Sequence, residues 1–384
     1  MGIKYGMIGG GQGAFIGDVH RKSIALDAFA EIAAGCFSRS VENTLETGKN
    51  LGIAAERCYK TYEEMAQAEA KRSDKIDFVV IVTPNSTHYD ISRAFLNAGI
   101  HVVCDKPLVW ETEQAQELAD LAQKNNLLFC VTYSYTGYPA VKHVREMIRK
   151  GEIGKIRFVN AEYPQEWLAS PAEKSGNRQA QWRVDPEISG KVNCLGDIGS
   201  HAENMVSYMT GLRIKSLCAR LDKIVEGRVL DDNASIMIEY EGGAKGLYWS
   251  SQIAIGYFNA LRVRIFGEKG TIQWAQESPD CIDVFMSGQP GMRLSRGRDG
   301  FYQHAQSFSR IPAGHPEGYF EALANIYKTF TGAVAMLKAG RHIREFTPVE
   351  AEFDFPDAKM GMDGVKFINK CVESSAAGSV WVNY

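Results

Sequence analysis

The sequence predicts two domains. Residues 1–135 are predicted to form an α/β domain with a parallel, doubly wound sheet, and residues 136–384 an α+β domain with a large, mostly antiparallel open sheet. In the first third of the chain, near-continuous apolar segments alternate with helix-length amphipathic ones, which is typical of a parallel sheet covered on both faces. Beyond Tyr138, apolar and polar residues alternate in segments joined by glycine-containing turns, which is typical of antiparallel hairpins.

The first predicted strand, Ile3–Ile8, is followed by a glycine-rich turn and a helix from Asp18. Its spacing fits a dinucleotide-binding turn, in which glycines let the backbone approach a pyrophosphate at a helix N-terminus. The candidate cofactor-binding residues here are Gly9, Gly11, Gln12, Gly13, Ala14, Phe15 and Ile16. Gly17 matches the glycine that packs helix on strand, which makes the turn about three residues longer than usual. A glycine-rich hairpin is the alternative, and the strands downstream favour the nucleotide.

Four further strands are predicted near Glu31–Phe37, Ile76–Thr83, Ile100–Cys104 and Leu127–Tyr133, with helices such as Ser86–Ala98 and Thr112–Lys124 between them. Two of these strands end in polar residues and prolines at the carboxyl edge of the sheet, where open α/β sheets bind ligands. These residues are Thr83, Pro84 and Asn85, then Asp105, Lys106 and Pro107. Pro107 ends its strand because it has no N–H to donate, and Ser86 or Thr87 can cap the helix that follows Asn85.

The residues after the second strand bear on the choice of dinucleotide. An acid at this position normally binds the ribose 2′-OH of NAD, whereas an arginine accommodates the 2′-phosphate of NADP. Ser38 and Arg39 follow the strand without an acid. The local residues therefore favour NADP, with stacking of Arg39 on the adenine as the alternative.

The second half of the chain supplies the other elements. Strands are predicted over Ile156–Glu162, Ala234–Tyr240, Gly246–Ser251, Leu261–Phe266 and Ile282–Phe285, and helices over Asp197–Met209, Gly318–Thr331 and Ala358–Ser374. Residues Ser287–Gly300, rich in glycine and arginine, are predicted to form a mobile loop.

Asp197 and His201 form the second group of candidate catalytic residues. They lie four residues apart and share one face of the predicted helix. A helix-capping aspartate with a surface histidine is the alternative. Because the same chain carries a strand-end lysine and a nucleotide site, the pair is a candidate acid/base couple.

Composition excludes several classes of function. A net charge of −3 gives no electrostatic basis for binding nucleic acid or an anionic membrane. No apolar run approaches the roughly 20 residues that span a bilayer, and the first strand follows Met1 too closely for a signal peptide. The eight cysteines include no Cys-x-x-Cys pair, so we expect core thiols in the cytoplasm and neither disulfides nor a metal site.

Together these motifs resemble the glucose–fructose oxidoreductase/inositol dehydrogenase (Gfo/Idh/MocA) family. The resemblance rests on Gly9–Gly17, Thr83–Asn85 with His88, Asp105–Pro107, Asp197 with His201, Val229–Asp232, Gly267–Gly270 and the C-terminal helix, and so covers the whole chain. Asp105 departs from it, since the family usually has Glu before Lys-Pro. The chain resembles the scyllo-inositol/L-glucose dehydrogenase branch most closely, on the basis of Gly9–Gly17, Glu166-Trp167, Arg178 and residues 312–318.

The resemblance implies a Rossmann domain whose cofactor site adds Ser38, Arg39, Thr83, Pro84, Asn85, His88, Asp105, Lys106 and Pro107 to the glycine turn. It favours NAD, with NADP as the alternative. It also implies a catalytic group of Lys106, Asp197 and His201, in which His201 is the general base, Lys106 stabilises alkoxide character and Asp197 orients the hydroxyl. A purely cofactor-binding Lys106 is the alternative.

The implied substrate residues are Tyr163, Gln165, Trp167, Arg178, Trp182, Arg183, Asp197, His201 and His315. Aromatic faces and guanidinium donors suit a hydroxyl-rich ring. Alternatively, Trp167 and Trp182 belong to the core and Arg183 pairs with Asp185 on the surface. His315, just before a predicted helix with Pro316 in its first turn, is either a poor N-cap or reaches a neighbouring subunit's site. The resemblance further implies a homodimer or homotetramer that associates through the C-terminal sheet.

The predicted function is therefore NAD(P)-dependent oxidation of a secondary ring hydroxyl of a cyclic polyol or sugar. A dehydrogenase for glycosides or anhydrosugars such as levoglucosan is the first alternative. A non-catalytic dinucleotide-binding regulator is the second, and the presence of Lys106, Asp197 and His201 argues against it.

Overall fold

The computed structural model describes residues 2–342 and 353–384, with Arg178 described by its backbone alone. The chain divides into two compact units: the first comprises Met1–Ser134 and Tyr319–Met362, the second Tyr135–Gly318 and Asp363–Tyr384. The predicted boundary at residues 135/136 puts residues 319–362 in the second domain, whereas in the structure they belong to the first unit. The reason is the core of the first unit, where Phe330 from this segment packs edge-on against Phe78 with ring centroids 5.3 Å apart.

The strands form two sheets. The first unit contains β1 (Ile3–Gly9), β2 (Ala30–Cys36), β3 (Phe78–Val82), β4 (His101–Cys104) and β5 (Phe129–Val131), all parallel, in the order β2-β1-β3-β4-β5. The second contains β6 (Ile156–Pro164), β7 (Ile214–Asp222), β8 (Asn233–Tyr240), β9 (Lys245–Ser251), β10 (Arg262–Gly267), β11 (Gly270–Ala275), β12 (Cys281–Met286), β13 (Met292–Ser295) and β14 (Val382–Asn383). Its order is β13-β12-β11-β10-β6-β9-β8-β7-β14, and only the β6/β9 pairing among these strands is parallel. The predicted fold class is confirmed.

The helices are α1 (Phe15–Leu26), α2 (Val41–Asn50), α3 (Tyr62–Ala70), α4 (His88–Asn97), α5 (Thr112–Lys124), α6 (Pro139–Arg149), α7 (Arg178–Arg183), α8 (Pro186–Ser189), α9 (Ser200–Thr210), α10 (Gln303–Gln306), α11 (Tyr319–Lys338) and α12 (Ala358–Ala376). A π-helical turn, Leu195–Gly199, continues directly into α9. Within residues 2–342 and 353–384, no helix combines the length and apolarity that crossing a bilayer requires.

Burial explains the difference between the sheets. All five residues of β3 are buried, as expected for a central parallel strand covered on both faces. In β8 buried residues alternate with partly or fully exposed ones, so one face of its sheet packs inward and the other is open.

Three local predictions need correction. α1 begins at Phe15, three residues earlier than predicted, directly after the glycine turn. Thr87 occupies the N-cap of α4 without capping it, because its hydroxyl is 2.8 Å from Thr83 Oγ1 and 2.9 Å from the Pro84 carbonyl oxygen. The predicted mobile loop 287–300 contains β13, whose backbone is paired with the adjacent strand β12.

Candidate active site

The glycine turn after β1 lies where the strand order reverses, since β2 and β3 flank β1 on opposite sides. Gly9 and Gly13 both have φ of +83°, a conformation that L side chains rarely adopt. A Cβ on Gly17 would lie 2.3 Å from the Gly10 Cα, so α1 approaches the turn with backbone against backbone. This close approach explains why Gly17 is needed.

The turn is braced from β2 and α2. The Gly11 N–H donates to the Phe37 carbonyl at 3.0 Å, and the Gln12 N–H donates to Asn43 Oδ1 at 3.1 Å. A Cβ on Gly11 would lie 2.4 Å from that Asn43 oxygen. Ala14 occupies the N-cap of α1 and supplies no side-chain acceptor. The positive end of the helix dipole is therefore not offset by a capping side chain and favours an anion. Strand, glycine cradle and side-chain-free helix N-terminus together fit a dinucleotide pyrophosphate.

A second group of contacts holds the turn that carries Lys106. Asp105 Oδ1 accepts from the Lys106 N–H at 2.9 Å and from Thr132 Oγ1 at 2.8 Å. His88 is fully buried, with Nδ1 3.0 Å from the Pro107 oxygen and Nε2 2.9 Å from the Thr83 oxygen. His88 therefore ties the ends of β3 and β4 together. With no exposed surface, it supports the Lys106 turn instead of presenting a ring to a ligand.

In the second unit, Asp197 does not begin the helix as predicted. Asp231 caps the π-helical turn instead, because its carboxylate accepts from the Asn193 and Leu195 N–H groups at 2.7 Å each. Burial raises the pKa of Asp231 to about 6, against the lowering effect of these two donors. The Asp197 carboxylate is directed elsewhere: its Oδ2 accepts from Arg183 Nε at 3.0 Å and from Gln252 Nε2 at 2.9 Å.

His201 is also not the surface histidine of the alternative interpretation. Its side chain is buried, with 6% of the residue exposed. The ring lies edge-on to Tyr135, with centroids 4.8 Å apart and planes at 68°. The capping-aspartate alternative therefore fails for both residues.

Tyr135 belongs to a closed hydrogen-bonded triangle. Tyr163 donates to Asn259 Oδ1 at 2.5 Å, and Asn259 Nδ2 donates to the Tyr135 oxygen at 3.3 Å. The Tyr135 hydroxyl, 2.5 Å from that of Tyr163, is consequently the donor in the third bond. Burial raises the pKa of Tyr135 to about 12, so it remains a donor at neutral pH.

The predicted substrate residues around Arg183 lie together. Gln165 Nε2 donates to Asn259 Oδ1 at 2.7 Å, and Trp167 Nε1 donates to Gln165 Oε1 at 3.0 Å. The Arg183 guanidinium carbon lies 4.2 Å from the Trp182 ring centroid and 5.4 Å from that of Trp167. Both tryptophans are partly exposed, which disfavours the core alternative.

The surface-pair alternative for Arg183 also fails. Arg183 pairs with Asp197, whereas Asp185 caps α8 by accepting from the Glu187 N–H at 3.0 Å. The Arg178 side chain lies outside the described part of the structure.

His315 lies on another loop of this unit. It is exposed, its Nδ1 is 3.3 Å from the Pro312 oxygen, and its own carbonyl accepts from Arg296. Arg296 is almost fully buried and pairs with Glu317 at 2.9 Å, which fixes the loop. Because α11 begins only at Tyr319, the predicted first-turn position of Pro316 is wrong.

Comparisons with known proteins place this arrangement in a family. Residues 3–133 match the model of an oxidoreductase family with an NAD-binding Rossmann fold, and residues 141–273 match the GFO/IDH/MocA C-terminal domain. The chain belongs to the GFO/IDH/MocA oxidoreductase family. It is an NAD(P)-dependent oxidoreductase, and the predicted family is confirmed.

Three relatives illustrate the likeness of this GFO/IDH/MocA protein to others. An inositol dehydrogenase homolog from Azotobacter vinelandii, solved with NAD⁺, is 37% identical with a TM-score of 0.94, covering 100% of this chain and 98% of that one. Its complex with NADH and myo-inositol gives 36% and 0.91 at the same coverage. The uncharacterized oxidoreductase YfiI of Bacillus subtilis is 37% identical over 100% of this chain and 97% of its own length. Levoglucosan dehydrogenase of Pseudarthrobacter phenanthrenivorans is 28% identical over 76% and 78%.

Several polar residues of this GFO/IDH/MocA chain were not identified from the sequence. Gln252 holds Asp197, Asn259 joins the two tyrosines, and Asn43 braces the glycine turn. Gln252 directly follows the predicted strand Gly246–Ser251, so a polar residue at a buried strand end was the available signal. Asn259 lies in an irregular loop, and no local pattern marks it.

Arg39 is the residue after β2 whose predicted role bears on the choice between NAD and NADP. It is exposed after β2, and the neighbouring Ser38 N–H donates to Thr44 Oγ1 at 3.0 Å. We expect Arg39→Ala to weaken NADP binding by about 1.5–3 kcal/mol, the size of a charge-assisted hydrogen bond, because NAD lacks the 2′-phosphate that a guanidinium binds. Titration of both coenzymes measures this, with Lys49→Ala on the neighbouring helix as the control. Equal losses for the two coenzymes contradict the 2′-phosphate contact.

Proposed function

We propose that this protein oxidises a secondary ring hydroxyl of a cyclic polyol or sugar, of the inositol or L-glucose type, to a ketone or lactone with NAD. The grouping of Arg183, Asp197 and two partly exposed tryptophans carries this proposal. A guanidinium with several donors, a carboxylate acceptor and aromatic faces match a ring that carries hydroxyls on its edge and C–H bonds on its faces. Family membership supplies the oxidoreductase chemistry.

In the proposed reaction, a proton leaves the hydroxyl oxygen and a hydride leaves the carbon that bears it. His201 accepts the proton as general base. Lys106 stabilises the negative charge that develops on the oxygen. Asp197, held at Oδ2 by Arg183 and Gln252, orients the hydroxyl toward His201. NAD, when bound, supplies the hydride acceptor.

The residues proposed to hold NAD are those at the carboxyl edge of the first sheet. The glycine turn 9–16 would receive the pyrophosphate, and Ser38 and Arg39 the adenosine. The ends of β3 and β4, which comprise Thr83–Asn85 and Asp105–Pro107, complete the set. His88 contributes by holding these two ends together.

A second candidate is oxidation of an anhydrosugar or glycoside hydroxyl. The similarity to levoglucosan dehydrogenase, which spans three quarters of this chain, favours it. The two tryptophans beside Arg183 suit a sugar ring equally well when its anomeric oxygen is blocked.

Substrate profiling with both coenzymes tests these proposals. A panel of free inositols, free aldoses, glycosides and levoglucosan is offered with NAD⁺ and with NADP⁺, and reduced coenzyme is followed by absorbance. We expect the highest kcat/KM with an inositol or free aldose and NAD⁺. A preference for glycosides selects the second candidate. Binding of coenzyme without turnover of any polyol contradicts both candidate functions and favours a non-catalytic regulator.

We further propose that the protein is a homodimer or homotetramer that associates through the open face of the second sheet. The strand register places Phe158, Met237, Leu247 and Phe285 on one face, and each is at least 37% exposed. Exposed apolar patches on a sheet mark interaction surfaces. Light scattering of the wild type and of Leu247→Glu measures the assembly, and a monomeric wild type contradicts it.

The cytoplasm is the proposed location. All eight cysteines are unpaired thiols, and six of them are buried. Unpaired core thiols suit a reducing compartment.

A further inference from the structure

We infer that Gln252 is a positioning residue that holds Asp197 as an anionic acceptor, through a chain of amides that begins at the main-chain oxygen of Asp231. The inference rests on the proposed function, in which Asp197 orients the substrate hydroxyl. Gln252 follows the last residue of β9 and is fully buried. It does not belong to the Lys106, Asp197 and His201 group.

The backbone of Gln252 is held from two sides. Its N–H donates to the Asp232 carbonyl at 2.9 Å, and its carbonyl accepts from the Leu168 N–H at 3.0 Å. The first contact ties it to the loop before β8, and the second to the segment after β6 that carries Trp167. The side chain therefore starts from a fixed position.

The network also fixes the orientation of both amides. Asn193 Nδ2 lies 3.2 Å from the Asp231 main-chain oxygen, which can only accept, so the Asn193 nitrogen faces it. The same nitrogen donates to Gln252 Oε1 at 2.8 Å. With Oε1 used as an acceptor, Gln252 directs Nε2 to Asp197 Oδ2 at 2.9 Å as a donor. Reversing Gln252 would break the Asn193 bond and place two oxygens together at Asp197.

A donor that cannot reverse favours the ionised form of its acceptor. Asp197 Oδ2 therefore receives one neutral donor from Gln252 and one charged donor from Arg183, 3.0 Å away. Among the titratable groups around this corner, Arg183 from α7 donates to Asp197, and the charge of Asp197 acts on Cys194 and on Tyr135, whose ring contacts His201. The Asp231 carboxylate accepts instead from the Asn193 and Leu195 N–H groups, and the Asp232 carboxylate from the Ile224 and Val225 N–H groups. Arg183 brings a positive charge to Oδ2, and Gln252 donates to the same oxygen.

The Gln252→Glu variant distinguishes the positioning of Asp197 from a role in which Gln252 only forms hydrogen bonds to buried polar groups. While it is protonated, the introduced carboxyl group reproduces the amide, because its carbonyl oxygen accepts from Asn193 and its O–H donates to Asp197. Loss of that proton sets two carboxylates at hydrogen-bond distance, so the pair resists ionisation and the doubly charged form loses its geometry. We expect near wild-type kcat/KM at the acid end of the profile. A new descending limb should then appear as pH rises, with a loss of roughly 100-fold, the scale of a misplaced catalytic group.

Gln252→Met is the second variant, and it removes the donor without adding charge. Without the donor, the Asp197 carboxylate loses one of the groups that fix its position, so kcat/KM should fall without the new descending limb expected for Gln252→Glu. The control is Gln289→Glu, which makes the same charge change in the exposed turn after β12 and should leave the profile unchanged. Thermal unfolding and NADH binding are recorded for each variant.

If the pH profiles of both Gln252 variants keep the wild-type shape and only kcat/KM is lower, the inference is wrong and Gln252 has a structural role. Asp197→Asn makes this failure distinguishable from that of the proposed function. If Asp197→Asn is inactive while the Gln252 profiles keep their wild-type shape, only the positioning role fails. If Asp197→Asn is fully active, the proposed role of Asp197 fails, and the positioning inference with it.

Discussion

Replacing His201 with alanine is expected to lower kcat by roughly 100-fold or more, the usual scale for loss of a general base. The imidazole is buried beside the Tyr135 ring, at a centroid distance of 4.8 Å. In the proposed reaction its removal leaves the substrate hydroxyl without a proton acceptor, whereas the glycine turn proposed to bind the coenzyme is unchanged. Steady-state kinetics should therefore show a large loss in kcat, and fluorescence titration should show little change in NADH affinity.

His143→Ala is the matched control for His201→Ala. His143 is also a buried histidine of the second unit, and it stacks on Phe301 with ring centroids 4.2 Å apart. Its loss should lower thermal stability and leave kcat near wild type. Added imidazole should restore part of the activity of His201→Ala and none in the control, because only the first variant lacks a reacting base. Near-normal turnover of His201→Ala would transfer the base role to Lys106.

The parts of the site that sequence could predict are those determined by neighbouring residues. A strand, a glycine turn and a helix N-terminus follow one another within about twenty residues, so Gly9–Gly17 identifies the coenzyme edge directly. Pro107 likewise marks a strand end by its own chemistry. That stop alone predicts that Lys106 lies at the carboxyl edge, and the hydrogen bond from the Asp105 N–H to the Ile81 carbonyl oxygen of β3 agrees.

The parts that sequence could not predict depend on contacts between distant segments. The helix that contains Asp197 is capped by Asp231, which follows α9 and β7 in the sequence. The local pattern therefore predicts the wrong capping residue, Asp197. Gln252 and Asn259 reach Asp197 and Tyr135 only through the register of the second sheet. The packing of α11 on the first unit is decided by ring contacts such as Phe330 on Phe78, which hydrophobic periodicity alone does not reveal.

Replacing Lys106 with methionine is expected to lower kcat by roughly 100-fold or more, since the ammonium proposed to stabilise the developing alkoxide is lost while the aliphatic stem is kept. The two hydrogen bonds of the Asp105 carboxylate should survive, because they join it to the Lys106 N–H and the Thr132 hydroxyl. With the chemical step slowed, substrate deuterated at the reacting carbon should show a larger isotope effect on kcat than with the wild type. The measurement is steady-state kinetics at saturating NAD⁺ with both isotopologues.

Lys124→Met provides the matched control, since Lys124 is an exposed lysine at the end of α5 in the same unit. It should leave both kcat and the isotope effect unchanged. The competing role for Lys106 is coenzyme binding alone, and the two roles differ in where the loss falls. A binding role raises the KM for NAD⁺ and leaves kcat intact once the coenzyme saturates. A loss that saturating NAD⁺ abolishes would therefore remove Lys106 from the reacting group and leave His201 with Asp197 as its members.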